Sequence, residues 1–133
     1  MDLLPEGRSR TWKPVGWSVP PLSPRISGPV AFLADARAFS YAETLLAMVE
    51  GHDLGEIVGS PTAGTNGNAN SFTLPGGYSI SWTGMEVLNH DGAPLHGHGV
   101  QPTVLARRTL AGVRAGRDEV LARAIEVVTR SQP

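Results

Sequence analysis

The run Val30-Ala-Phe-Leu-Ala34, followed by Ser40-Tyr-Ala-Glu-Thr-Leu-Leu-Ala-Met-Val-Glu-Gly51 and Glu56-Ile-Val58, decides how this chain folds. The first five residues are continuously apolar after Gly28-Pro29, the mark of a short buried strand. From Ser40 the period changes. Ala42, Leu45, Leu46 and Val49 recur at i, i+3, i+4 and i+7, so they share one helix face, with Gly51 as the expected stop. Glu56 to Val58 predicts a second short strand. Two strands joined by a helix of about three turns can pair in parallel, and a βαβ unit is the expected local topology.

Upstream of this unit, residues 1–29 hold six of the eleven prolines. Proline lacks a donor and holds its predecessor extended, so residues 1–28 read as an irregular arm. Trp12 and Trp17 are expected to dock on the body, making the arm packed though not regular. Residues 29–133 form the domain proper. Downstream, Ser60 to Asn70 is a polar Gly/Asn loop. Phe72 to Leu74 and Tyr78 to Trp82 flank Pro75-Gly76-Gly77, a hairpin signal. Tyr78, Ile80 and Trp82 alternate with Ser79 and Ser81, which predicts one buried and one wet face. Met85 to Leu88 continues extended, Asn89-His-Asp-Gly92 is a turn, and Gln101 to Leu105 is a last short strand. Leu121, Ala124, Ile125 and Val128 repeat helical spacing, with Asp118 and Glu119 in the first turn and Arg130 in the last. Both helical stripes read as core.

Composition narrows the function. The chain has 133 residues, of which 41% are hydrophobic, enough for one packed domain. Eleven basic and twelve acidic residues give a net charge of -1, which offers nothing to nucleic acid or an anionic membrane. Lys13 is the only lysine. With no cysteine, a disulfide scaffold, a thiolate zinc site and a cysteine nucleophile are excluded, and the redox compartment is left open. No apolar run approaches the ~20 residues of a membrane span, and the first residues show no signal peptide.

Ser40-Tyr41-Ala42-Glu43 has two readings. In one it is a capping box, with the Ser40 hydroxyl accepting from the Glu43 amide and the Glu43 carboxylate accepting from the Ser40 amide. In the other, a serine on a sharp strand-to-helix turn presents its hydroxyl beside free helix amides, where an oxyanion can be held. The two compete for the rotamer of one hydroxyl. Spacing alone does not separate them.

Ala31 to Glu43, then Gly55-Glu-Ile-Val-Gly-Ser-Pro-Thr-Ala-Gly-Thr-Asn-Gly67, resembles the nucleophile strand-helix-strand of the S41 peptidases, the tail-specific or C-terminal-processing proteases. The similarity continues, in order, through Leu74-Pro-Gly-Gly-Tyr78, the His90-Asp91-Gly92 turn and Gly97-His-Gly-Val-Gln-Pro102. It implies an α/β fold with a partial ClpP/crotonase-like spiral core, a β-hairpin and a C-terminal helix. It further implies a serine peptidase in which Ser40 is the nucleophile and the Tyr41 backbone amide an oxyanion donor. No cofactor is implied, and the partner is a peptide or polypeptide substrate. Where many members carry a lysine base, this chain has Thr65 or Asn66. A threonine hydroxyl is no more basic than the serine it would deprotonate, so the dyad is excluded. In the tricorn-type branch the histidine comes from an earlier part of the domain. The chain therefore resembles the C-terminal half of such a domain, completed by the missing N-terminal half or by a second copy. A half-domain would leave a sheet edge and an apolar surface uncovered unless the proline-rich arm folds over them.

The four histidines offer weaker alternatives. His52 follows the helix stop as a dipole partner, and His90 is expected to be solvated in its turn. His96 lies nearest the place where the tricorn-type branch keeps a late carboxylate, which puts it, with Thr65 and Asn66, on the expected active-site rim. His96-x-His98 on a strand would place two imidazoles on one face, and a third ligand from His90 or Asp91 would complete a metal-dependent hydrolase. A non-catalytic binding domain on the same scaffold, as in the family's retinoid-binding relatives, is the remaining reading. The Ser60–Asn70 loop lacks the Gly-Lys-Ser/Thr of a nucleotide site.

Overall fold

The computed structural model describes residues 13–16 and 18–130. Continuous apolar character makes β1 (Ala31–Ala34) and β2 (Glu56–Gly59), and they pair in parallel from Ala31↔Glu56 to Ala34↔Gly59. The helix between them, α1 (Tyr41–Gly51), completes the expected βαβ unit. The hairpin forms from β3 (Ala69–Thr73) and β4 (Ser79–Thr83). A two-residue β5 (Val104–Leu105) joins the other side of β2, shorter than the five residues its sequence suggests. Helices α2 (Leu110–Arg114) and α3 (Glu119–Arg130) follow. The main sheet has the order β1-β2-β5. No helix among the described residues is long and apolar enough to cross a membrane.

The core gathers on the central strand. Ile57 and Val58 are fully buried, and successive strand residues face opposite ways, so both faces of β2 are covered. Helices α1 and α3 pack on this strand. Ile57 joins Ala34, Leu46, Val49, Leu95 and Val100 in one cluster. Each such fully buried aliphatic chain contributes about 1.5–3 kcal/mol. Leu95 and Val100 bring the 95–100 turn onto this core, and the turn thereby comes beside the start of α1.

Four expectations are corrected. Helix α1 ends at Gly51, but the left-handed residue that closes it is Asp53 and not this glycine. Asp53 takes φ 50, its amide reaches Glu50 O, and the Leu54 amide reaches Val49 O at 3.0 Å, the paired bonds of a left-handed helix end. Asp53→Gly is therefore expected to raise the thermal midpoint by about 2 °C, because glycine takes this backbone without a Cβ penalty. A melting curve that fell instead would show a role for the carboxylate. The hairpin face is not buried: Ile80 is 43% and Trp82 47% exposed. It packs on itself, with Phe72 and Trp82 edge to face at 5.7 Å. The helical stripes are covered only in part, since Leu45, Leu121 and Ile125 are exposed while Leu46, Val49 and Ala124 are buried. In the arm, residues 13–16 and 18–29 are irregular and exposed, not packed; with apolar residues at no constant period, they present no face to bury. Trp12 and Trp17 lie outside the described residues.

Candidate functional site

The chain leaves β1 through Asp35 and Arg37. The Arg37 guanidinium grips the Asp35 carboxylate at 2.7 Å, and this hydrogen bond, aided by the Arg37 amide, holds the carboxyl below the usual range. Ser40 then sits at the junction with α1. Its backbone has φ 55 and ψ -122. A non-glycine residue held there is strained by about 1–3 kcal/mol, and such strain persists only where the surroundings fix it. Among the described residues, Asp53 is the only other non-glycine with positive φ, and it ends a helix in the ordinary way.

This geometry carries features of both readings of Ser-x-x-Glu. Ser40 and Glu43 are arranged as a capping box, the Ser40 side chain facing the Glu43 amide, although no side-chain cap hydrogen bond closes. The Glu43 amide donates instead to the Ser40 carbonyl at 2.9 Å. The reciprocal half is present, the Ser40 amide donating to Glu43 Oε2 at 3.2 Å. Ser40 itself is exposed. In the first turn, the amides of Ala42, Glu43 and Thr44 all find backbone acceptors, whereas the Tyr41 amide has none among the described residues. An exposed hydroxyl and an unengaged amide on adjacent residues can attack a carbonyl and receive its oxyanion.

Loop 62–65 closes one flank of the turn. The Thr65 carbonyl accepts the Ser40 amide at 2.8 Å, and the Ala63 amide reaches the Ala38 carbonyl at 3.0 Å. Gly64 lies so close to the 95–100 turn that a Cβ would stand 2.9 Å from the amides of Gly97, His98 and Gly99. Asn66 donates to Thr44 Oγ1 at 2.9 Å, which fastens the loop to α1. The rim residues thus divide. Asn66 and His96 share the lining of an open groove of about 540 Å³ with Met85, Val87 and Pro94, while Ser40 and Thr65 are outside that lining. Thr65 meets Ser40 through the backbone. No histidine side chain hydrogen-bonds Ser40 among the described residues.

Sequence reasoning recognised Glu43 only as a cap. The structure buries it completely and gives its carboxylate four donors: the amides of Ser40, Gly64 and Thr65 and the Thr62 hydroxyl. Three of these partners sit some twenty positions away in an irregular loop, beyond the reach of any local pattern.

The metal reading is overturned. His96 to His98 form a turn, not a strand, because Gly97 and Gly99 adopt φ 75 and 67. The ring of His98 bonds the His96 carbonyl at 3.1 Å. Among the described residues no group of three or more His, Asp or Glu side chains could hold a metal ion. His90 is exposed but not merely solvated, its Nδ1 lying 3.7 Å from Glu50 Oε2. His52 is exposed and bonds Met48 O through its amide.

Comparison with known proteins bears on the family and the fold. The family model described as Peptidase family S41 matches residues 7–106. A solved structure from Parabacteroides merdae ATCC 43184, described as a candidate peptidase, is similar with TM-score 0.69 and 24% identity, over 78% of this chain and 33% of that one. Mature CPAF complexed with lactacystin is similar at TM-score 0.67 and 27% identity, over 78% of this chain and 20% of its own. The tricorn protease has TM-score 0.69 at 19% identity, over 75% of this chain and 10% of its own. The mixed α/β fold is therefore the one these proteins share, and the chain spans a third or less of each. No curated protein matches the chain.

Proposed function

The chain belongs to peptidase family S41, and from that premise we propose that it carries the nucleophile of a serine peptidase. The carrying observation is the backbone of Ser40, strained at φ 55 with no side-chain cap hydrogen bond closed by its hydroxyl. Ser40 Oγ attacks the scissile carbonyl carbon and passes its proton to a general base. The developing oxyanion accepts from the Tyr41 amide. Collapse of the tetrahedral species expels the amine, which takes the proton from the base, and water then releases the acyl group by the same route. Lys13 is the only lysine and lies in the exposed arm, so loop 62–65, which bonds Ser40 through Thr65, supplies no lysine base. We assign the base to a histidine in upstream polypeptide, as the tricorn-type resemblance implies, and the substrate to a peptide lying along the groove of Asn66 and His96.

A fluorophosphonate probe tests this reading. With the upstream half supplied, the probe is expected to add to the peptide containing Ser40, detected by mass. Without that half, labelling should fall by about 10³-fold or more, since the oxyanion site remains and the base is lost. Failure to label Ser40 in either state would make the domain a binding module on the same scaffold.

A further inference from the structure

We propose that Glu43 is the positioning residue of this site: its buried carboxylate, rather than the serine hydroxyl, fixes the turn that bears Ser40. The inference rests on reading Ser40 as the nucleophile. All four partners of Glu43 are donors. Oε1 accepts from the Thr62 hydroxyl and the Gly64 amide, both at 2.6 Å; Oε2 accepts from the amides of Thr65 at 3.0 Å and Ser40 at 3.2 Å. A carboxyl group can accept on both of its oxygens, which a glutamine amide in the same place cannot. Its complete burial makes each bond strong and each loss costly.

The connectivity gives the network its purpose. The Ser40 amide is shared between Glu43 Oε2 and the Thr65 carbonyl, and the Thr65 amide returns to the same oxygen. Ser40, Glu43 and Thr65 therefore form a closed ring around the strained residue. The Thr62 hydroxyl, while donating to Glu43, accepts from the Val100 amide at 2.8 Å. One carboxylate thus ties together the nucleophile turn, loop 62–65 and the turn that carries His96. With the first helical turn secured in this way, the Ser40 hydroxyl is not needed as a cap.

The test compares Glu43→Gln, Thr62→Val, Thr62→Ser and Ser40→Ala with the parent chain in the presence of the upstream half. Fluorophosphonate labelling, thermal midpoint and the amide NMR shifts of Gly64 and Thr65 are measured. Glu43→Gln should stay folded at the assay temperature and label about 100-fold more slowly, the effect of displacing a reacting group by about 1 Å. Thr62→Val should slow labelling about 10-fold through the weakened network, and Thr62→Ser, which keeps the hydroxyl, should restore it. A folded Glu43→Gln variant labelled at the parent rate overturns the proposal. If Glu43→Gln does not fold, the Thr62 pair decides, and equal labelling by Val and Ser variants overturns it. If the parent itself is never labelled, the peptidase reading fails separately. The network is then judged by NMR: Ser40→Ala should leave the Gly64 and Thr65 amides in place and Thr62→Val should move them, and the reverse overturns the positioning role.

Discussion

Gly59→Ala is expected to abolish the fold. Gly59 is buried at the end of the central strand with φ +145, and a Cβ built there would lie 1.9 Å from the Ala34 carbonyl oxygen. That oxygen already accepts the Ser60 amide at 3.0 Å, so it belongs to the seam that pairs β1 with β2. A methyl group can enter only by driving the strands apart, and β2 cannot move freely because it also pairs with β5 through this residue. The cost should exceed about 4 kcal/mol, which consumes most of the stability of a domain at the lower end of the usual 5–15 kcal/mol. Far-UV circular dichroism should show an unfolded or aggregated chain. Gly77→Ala is the matched control: φ +84, with nothing near its added Cβ. It carries only the left-handed penalty of about 1 kcal/mol. If Gly59→Ala melted within about 2 °C of the parent, this packing of β1 on β2 would be wrong.

The parts of the fold that sequence revealed are those set by period and punctuation. The change from the Val30–Ala34 run to the Ala42–Val49 spacing marked β1 and α1, and Pro75-Gly76-Gly77 marked the hairpin. Periodicity states which residues share a face and is silent about what covers it. Tyr78, Ile80 and Trp82 do alternate with serines, yet no element buries them; Leu45, Leu121 and Ile125 belong to correct helical stripes and remain exposed. Helix α2 escaped because its five residues are too short to show a period.

At the site, residue type names the candidates, and the backbone angle at Ser40 adds what the letters do not carry. Ser-x-x-Glu is compatible with a cap and with a nucleophile turn, and nothing in four letters encodes the sign of φ at Ser40. His96-x-His98 suggested a strand, but Gly97 and Gly99 turn the chain through the left-handed region, and the paired-imidazole geometry is lost. Glu43 acquires its importance from Thr62, Gly64 and Thr65. Those contacts exist only after β2 has been laid beside β1, which carries loop 62–65 to the start of α1.

Ser40→Ala and Ser40→Gly give the decisive pair for the nucleophile. Both should lose fluorophosphonate labelling and peptide hydrolysis by about 10⁴-fold or more, the usual result of removing a nucleophile that acts in concert with a base. Their stabilities should differ in an order that a cap cannot produce. At an ordinary helix N-cap, Ser→Ala costs about 1 kcal/mol and Ser→Gly a few tenths, so serine is the most stable of the three. Here the hydroxyl closes no cap bond, and alanine should melt within about 1 °C of serine, since both carry a Cβ at φ 55. Glycine relieves about 1–3 kcal/mol of strain and gives back up to about 1 kcal/mol of unfolded-chain entropy. A net gain of about 1 kcal/mol should raise the midpoint by about 2–4 °C. Serine at this position is then the less stable choice, retained against its own backbone preference, as a residue placed for chemistry is. A melting order of serine above glycine above alanine would identify Ser40 as a cap and remove the physical premise of the peptidase reading.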